Sequence, residues 1–260
     1  MTSLTVLGQD MNRSATVTKP RAGRHAFEWL LWGAVLALAA YLLRLLDLPG
    51  MWRSYGGDIV HLTLQHVELV ALSGGLAIVV GVPLGIALSR ESFAAISESG
   101  MQVLNIGATI PTLAILALSM SWLGIGTPPA VFALWAVTLL PIVRNTMAGL
   151  RGVDPYLIEA GRGMGMTPAQ LLLRVELPNA LYVLLAGVRT ALAINVGTVP
   201  LAFLIGGGGL GELIFTGIDL NEPAMMMAGA LPTAGLAVVV DFALGLVAYY
   251  LVPRGVNPLR

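Results

Sequence analysis

Six apolar stretches of helix length follow one another along the chain, and they constrain its fold more than any other feature. They cover approximately residues 29–46, 62–88, 101–123, 130–143, 178–205 and 225–251. A bilayer core offers no water to satisfy backbone polar groups, so apolar segments of this kind cross it as helices. Hydrophobic residues make up 57% of the chain and charged residues only 11%, which leaves too little polar surface for a soluble domain. We therefore predict an all-α polytopic membrane protein with about six transmembrane helices.

The basic residues orient these spans. Six spans place both termini on one side of the membrane, and only Arg44 and Arg53 lie near the opposite side. The basic residues on the side of the termini are Arg13, Lys19, Arg21, Arg24, Arg90, Arg144, Arg151, Arg162, Arg174, Arg254 and Arg260. Because cytoplasmic loops carry the excess of Lys and Arg, we expect both termini in the cytoplasm. Residues 1–27 are then a cytoplasmic tail, and residues 28–260 form the transmembrane domain.

The longest interior segment that cannot sit in a bilayer covers residues 154–178. Asp154 followed by Pro155 is typical of a helix N-cap with proline at the first helical position. Thr167, Pro168 and Gln170 repeat this signal, with the glutamine placed to close a capping box. The segment therefore predicts two short helices on the cytoplasmic side.

Glycine and proline predict where these two helices end. Gly163 and Gly165 end the first at about residue 164. We expect the second to end at about residue 176, because Pro178 disfavours helical geometry at Leu177. Each helix would be roughly 14 Å long, about half a bilayer core, so neither can span the membrane.

The common motifs of enzyme chemistry are missing or out of context. Gly206, Gly208 and Gly211 match GxGxxG, but they follow an apolar helix rather than a strand, which favours a turned segment at the outer mouth over a dinucleotide site. No phosphate-binding loop, HExxH or GxSxG occurs, and there is no cysteine for disulfide or thiolate chemistry. His61 and His66 are spaced too far apart to share a helix face as metal ligands. One basic residue in the second short helix is too few to bind nucleic acid. We predict neither catalysis, a metal site nor a nucleic-acid partner.

Arg189 and Asp241 lie inside predicted spans, where an ionisable residue is by default functional or paired. Both are roughly 16 Å from the cytoplasmic ends of their helices, so they are at equal depth. We predict an ion pair between the fifth and sixth spans, the alternative being that each faces a watery cavity alone. A secondary transporter or channel that works alone would use the same two residues for ion coupling, and this rival function stays open at this point.

The segment 154–178 also carries a spaced motif: Glu159-Ala160-Gly161, then Gly165, Val175 and Leu177-Pro178. It resembles the EAA signature of permease subunits of ATP-binding-cassette importers, which reads E-A-A, three residues, G, nine residues, I, one residue, L-P. Gly161 stands where alanine is usual and Val175 where isoleucine is usual. The glycine lowers helix propensity by roughly 1 kcal/mol.

Further stretches are similar to the osmoprotectant branch of these permeases, which carries glycine betaine, carnitine, choline and related quaternary amines. They are residues 109–114, 123–127, 140–146, 152–155, 162–167 and 204–215, within a similarity that covers about residues 60–250. The resemblance implies a MetI-like fold of the type I importers, with a core at 60–252 and a cytoplasmic coupling loop at 148–178. It also implies a multi-pass protein of the bacterial inner membrane. Another small solute, such as the amino acid methionine, is the alternative cargo.

The resemblance implies several partners as well. Two ATPase subunits would bind the cytoplasmic face and hold the ATP and magnesium, so that this chain itself carries no cofactor. A second permease, identical or related, would complete the membrane domain within the lipid. Because the chain ends at Arg260, we expect its substrate-binding protein to be a separate periplasmic or lipid-anchored chain.

Roles for individual residues follow from the same resemblance. Glu159 and Arg162 would contact the ATPase groove, Ala160 and Gly161 would allow close backbone approach, and Gly165 would allow the turn. The translocation pathway would run between the permease copies. Its candidate residues are polar or helix-breaking positions within spans three and five, although packing explains them about as well: Thr109, Pro111, Asn195 and Thr198.

Overall fold

The structure is a computed structural model that describes residues 32–33, 47–253 and 255–256, and its regular elements there are helices. The predicted tail at 1–27 and almost all of the first predicted span at 29–46 lie outside these residues. The α-helices are α1 (Leu48–Leu88), α2 (Ala94–Thr109), α3 (Thr112–Leu123), α4 (Thr127–Arg151), α5 (Pro155–Gly163), α6 (Pro168–Leu171), α7 (Leu177–Thr198), α8 (Gly211–Asp219) and α9 (Pro223–Leu251). Short 3-10 segments cover Glu91–Phe93 and Val199–Ile205, and a π turn covers Leu172–Glu176.

Four helical stretches in the described part of the chain are long and apolar enough to cross a membrane. They are α1, α4, α9 and the continuous path Pro168–Ile205 that contains α6 and α7. A fifth is obtained if α2 and α3 count as one span, although the two are bent by 97°. The third predicted span is therefore broken, because Pro111 holds the preceding Ile110 in an extended conformation.

Helices α1, α4 and α7 form the centre of the protein. Leu69, Leu134 and Val196 belong to one buried cluster, and a second cluster joins Ala77, Ile142 and Val188. These clusters contain one helix face from each of the three elements. Burial of apolar side chains between these helices therefore fixes the frame that carries residues 154–178.

The glycine pair at positions 81 and 85 serves packing within the chain. A Cβ on Gly81 would lie 2.9 Å from Ile142 Cγ2, and one on Gly85 would lie 2.6 Å from Thr146 Cβ. Both contacts are with α4, so the GxxxG pattern brings α1 and α4 close together.

Two boundaries differ from the sequence-based expectation because of tertiary packing. Helix α1 begins at Leu48 instead of about residue 62, and Ile59 in the added part is buried against Leu210 and Leu213. The predicted polar loop after the glycine run instead forms α8, whose Leu213 is 2% exposed. Apolar residues of these two regions bury one another, and that burial outweighs their polar composition.

Candidate functional site: the cytoplasmic coupling segment

Helix α5 begins as the sequence predicts. The Asp154 carboxylate accepts a hydrogen bond of 2.9 Å from the Tyr156 N–H, and Pro155 occupies the first turn, where no N–H is needed. The helix ends at Gly163, and Gly165 then takes a left-handed conformation with φ of +76°. The predicted start and stop of the first short helix are both confirmed.

The second short helix also begins as predicted. The Thr167 hydroxyl accepts from the Gln170 N–H at 3.3 Å, and the Gln170 side chain accepts from the Thr167 N–H at 2.9 Å, which completes the capping box. Its predicted end at residue 176 is wrong. The backbone stays helical from α6 through the π turn into α7, so the short helix and the following span form one continuous rod.

A widened turn explains how the helix continues past Pro178. The Leu177 N–H donates to the Leu172 carbonyl five residues back, which is the π spacing. Proline lacks an N–H, and its ring crowds the carbonyl four residues earlier in a regular helix. The wide turn makes room for the ring, and the Asn179 side chain donates to the Val175 carbonyl at 2.6 Å, satisfying an acceptor beside it.

Helix α5 packs on this rod through one glycine. Gly161 is buried, and a Cβ there would lie 2.6 Å from Leu171 Cδ1. This contact gives a physical reason for glycine at the position where the EAA signature has alanine. Ile158 on the same side packs with a cluster that includes Leu150 and Ala180.

The opposite face of α5 is open to solvent. Ala160 is exposed on it, and so are two large side chains that sequence reasoning missed, Tyr156 (79% exposed) and Met164 (70%). Tyr156, Ala160 and Met164 recur every four residues, a helical spacing that would have identified them. We call the surface formed by Tyr156, Ala160 and Met164 the outer face of α5. Exposed aromatic and methionine side chains on a short rigid helix are typical of a protein-docking surface.

A cleft of about 690 Å³ lies on the inner side of α5. Glu159 and Arg162 line it from α5, and Arg90 and Glu176 line it from two other elements. Arg90 Nη2 lies 2.5 Å from Glu176 Oε2, with the two side chains 33% and 7% exposed. This ion pair joins the chain just after α1 to the π turn. The apolar surroundings of Glu176 in the sequence were the available signal, since a charge there needs a partner.

A second arginine ties the ends of three helices together. Arg151, in the last turn of α4, donates to the Leu88 carbonyl at 3.0 Å and to the Ser97 hydroxyl at 2.8 Å. The Ser97 hydroxyl in turn donates to the same Leu88 carbonyl at 2.8 Å. The coupling segment (residues 154–178) is therefore mounted on a hydrogen-bonded frame made of the C-terminal ends of α1 and α4 and the first turn of α2.

Arg189 and Asp241 are brought together in the structure. Arg189 on α7 donates through Nε and Nη2 to the two carboxylate oxygens of Asp241 on α9. Their side chains remain 46% and 41% exposed. The geometry is the bidentate fork that arginine and carboxylate favour.

The pathway candidates occupy different environments. Asn195 is fully buried, and its amide donates to the Ser73 and Thr138 hydroxyls at 2.9 and 2.7 Å, linking α7 to α1 and α4. The Thr109 and Thr198 hydroxyls donate to carbonyls of their own helices. Pro111 stands at the bend between α2 and α3. Their role in translocation stays a prediction.

The remaining sequence motifs lie on or against the first half of α1. The glycine run Gly206–Gly209 connects the 3-10 segment to α8, and the Gly209 N–H donates to the Gln65 side chain at 3.1 Å. The two histidines have separate partners: His61 contacts Gln65, and the buried His66 contacts the Val196 carbonyl. The glycines hold a turn against α1, and no strand precedes them in the described region.

Comparisons with known proteins agree with this arrangement. Residues 81–255 match the family described as binding-protein-dependent transport system inner membrane component. The chain is 52% identical to the osmoprotectant import permease protein OsmY of Salmonella typhimurium over 184 residues, covering 71% of this chain and 78% of that one. It is 44% identical to the carnitine transport permease protein OpuCB of Listeria monocytogenes and 42% identical to the choline transport system permease protein OpuBB of Bacillus subtilis. Both alignments cover 79% of this chain, and they cover 93% and 94% of those relatives.

Solved structures show the same fold. The inward-facing MetNI methionine ABC transporter contains a chain that matches with a TM-score of 0.70 at 24% identity, covering 80% of this chain and all of that one. An amino acid ABC transporter crystallised with histidines matches with a TM-score of 0.60 at 18% identity, covering 76% of this chain and 94% of that one. At these identities the likeness concerns the fold alone.

Proposed function

Because the chain belongs to the family of binding-protein-dependent transport system inner membrane components, we propose that it is the permease subunit of an ATP-driven importer of quaternary-amine osmoprotectants. Glycine betaine, choline and carnitine are the expected cargo. The names of the relatives support this class of solute, since they include osmoprotectant, carnitine and choline permeases at 42–52% identity.

One observation carries the mechanism: the continuous helical path from Pro168 to Ile205. Helix α5 is pressed against this path through Gly161 and Leu171, so a force on α5 reaches α7 without crossing a flexible joint. We call α6, the π turn and α7 together the lever. When two ATPase subunits close on ATP, they move α5, and the lever moves the membrane helices as a body.

The outer face of α5 is the expected docking site for an ATPase subunit. Tyr156 and Met164 supply apolar contact there, and the exposed Glu159, at the rim of the inner cleft, supplies a charge that can pair with a basic group of the partner. Arg162 contributes from the rim of the inner cleft. Each ATPase subunit binds ATP and magnesium, and this chain performs no chemistry.

The other partners act at the other surfaces. A separate substrate-binding protein delivers cargo on the side of the membrane domain that holds the glycine run. A second permease, identical or related, completes the pathway between the two chains. The complex sits in the bacterial inner membrane with the coupling segment and both termini in the cytoplasm, as the distribution of basic residues predicts.

The test is ATP-dependent uptake together with co-purification of the partners. Membrane vesicles carrying the permease, its ATPase and its binding protein are expected to accumulate labelled glycine betaine only with ATP inside. The variant Glu159→Ala/Gly165→Pro is expected to lose both ATPase association and uptake, while Glu98→Ala, an exposed glutamate on α2, retains both. Uptake that persists without any ATPase would contradict the importer and favour the stand-alone transporter. ATPase association without uptake of glycine betaine, choline or carnitine would contradict the proposed cargo only.

A further inference from the structure

The Arg189–Asp241 pair lies halfway through the membrane domain. Arg189 is twelve residues into α7 and Asp241 ten residues before the end of α9, roughly 15–18 Å from those helix ends at the helical rise. This is about half of a bilayer core, too deep for a lipid headgroup to reach. Whatever meets the pair at this depth is a solute or another protein.

Within the part of the chain that the structure describes, the pair is only partly covered. The two side chains are 46% and 41% exposed. Charges facing hydrocarbon at this depth are unfavourable, so the exposed side of the pair must face a polar space or the second permease. In the proposed complex, that space is the translocation pathway.

The surroundings of the pair leave room for a solute. The accessible positions of α7 near Arg189 include four small residues at helical spacing: Ala186, Thr190, Ala193 and Gly197. A Cβ added to Gly197 would meet no atom within 4 Å. On α9, a Cβ on Gly245 would lie 3.4 Å from Arg189 Nη1, so glycine there leaves space for the guanidinium. Larger apolar side chains are exposed within five residues of the pair as well: Ile194, Val238 and Phe242. The two charges therefore lie beside a surface of small residues on α7 that is bordered by apolar side chains.

We propose that Arg189 and Asp241 form a transient subsite for the zwitterionic cargo. The carboxylate of glycine betaine or carnitine binds the guanidinium of Arg189, and the quaternary ammonium of the same solute pairs with the carboxylate of Asp241. One internal ion pair is then replaced by two ion pairs with the solute. The guanidinium fork suits a carboxylate, and the positive charge of a quaternary ammonium is attracted to the carboxylate of Asp241. This assignment rests on the proposed function, and it identifies zwitterions as the solutes that the pathway prefers.

The subsite distinguishes zwitterions from simple cations. Choline carries the ammonium but no carboxylate, so binding it to Asp241 leaves Arg189 without a counter-ion. The intact pair therefore disfavours choline relative to glycine betaine. Removing the arginine charge frees Asp241 for choline and removes the partner of the betaine carboxylate, so the preference shifts toward choline.

The experiment measures uptake of labelled glycine betaine and labelled choline by the reconstituted complex with its ATPase and binding protein. The same binding protein is used throughout, so a change in the choline-to-betaine ratio reports on the permease. Arg189→Gln is expected to raise that ratio by at least about tenfold, and Asp241→Asn is expected to reduce uptake of both solutes. Asp219→Asn, which removes an exposed carboxylate at the end of α8, serves as the control and leaves the ratio unchanged.

The double variant Arg189→Gln/Asp241→Asn separates the subsite from helix packing. It removes both charges and leaves no unpaired charge behind. If the pair only stabilises the fold, uptake should therefore recover in this variant. The subsite predicts that glycine betaine uptake stays low although the complex assembles. An unchanged ratio in Arg189→Gln, or recovery in the double variant, overturns the subsite and leaves the importer intact. An assembled wild-type complex that imports neither solute, nor carnitine, overturns the proposed cargo and with it the subsite.

Discussion

Replacing Glu176 with glutamine tests the frame that holds the lever. The substitution keeps the shape of the side chain and one hydrogen-bonding oxygen but removes its charge. Arg90 then loses its ionic partner, which lies 2.5 Å away in a site where the glutamate is only 7% exposed. We expect a loss of stability together with weaker transmission of force from α5 to α7.

The magnitude follows from the exposure of the two side chains. A hydrogen bond to a charged group contributes about 1.5–3 kcal/mol, and Arg90 is 33% exposed, so water partly compensates for the lost carboxylate. We expect the free energy of unfolding to fall by about 1–2 kcal/mol. For a chain of this size each kcal/mol lowers the melting temperature by about 2–4 °C.

The assay is thermal unfolding of the purified permease in detergent, followed by betaine uptake per ATP hydrolysed. Glu222→Gln is the matched control, because Glu222 accepts a hydrogen bond of 2.6 Å from Tyr55 but is exposed. We expect the control to stay within about 0.5 kcal/mol of wild type. If Glu176→Gln melts at the same temperature as the control, the pair does not stabilise the frame. If the losses in free energy of unfolding caused by Arg90→Gln and Glu176→Gln simply add in the double variant, the two residues act independently.

Three further predictions concern packing inside the membrane domain. Gly187→Ala would place a Cβ 2.3 Å from Asn145 Cβ and should destabilise the fold by about 1–3 kcal/mol in thermal unfolding. Gly163→Ala is the control: its Cβ would meet no atom within 4 Å, so it should be neutral or slightly stabilising. Asn195→Ala should lower the free energy of unfolding by about 2–3 kcal/mol in the same assay, because it removes two buried hydrogen bonds and leaves a cavity. A melting temperature equal to that of the wild type would contradict this. Arg189→Gln and Asp241→Asn, made singly and together, should have non-additive effects on expression and melting temperature, and simple additivity would show that the two residues do not pair.

The parts of the coupling segment that sequence reasoning predicted are those decided by neighbours along the chain. The Asp154 cap and the capping box of Thr167 and Gln170 involve residues two or three positions apart, so local rules suffice. The all-helical fold followed from the length and apolarity of the spans. The Arg189–Asp241 contact was predicted because two charges at equal depth in apolar helices have few alternatives.

The parts that were missed depend on contacts distant in sequence or on an uncommon turn. The helix was expected to end before Pro178, but a π turn makes room for the proline ring and keeps the rod continuous. Arg90 and Glu176 are 86 residues apart, and nothing local couples them. The early start of α1 arises from burial of Ile59 against α8, which local composition does not reveal.

Site-directed cross-linking of α5 tests whether this helix docks the ATPase subunit. The chain has no cysteine, so single cysteines can be introduced into an otherwise unreactive background. Cysteines at Tyr156, Ala160 and Met164 on the outer face are predicted to cross-link to the ATPase subunit in the assembled complex. A cysteine at Ile158 on the inner side is predicted not to cross-link. A cross-link at this inner position alone, or none at the outer positions of an intact complex, would contradict the assignment of α5 as the coupling helix.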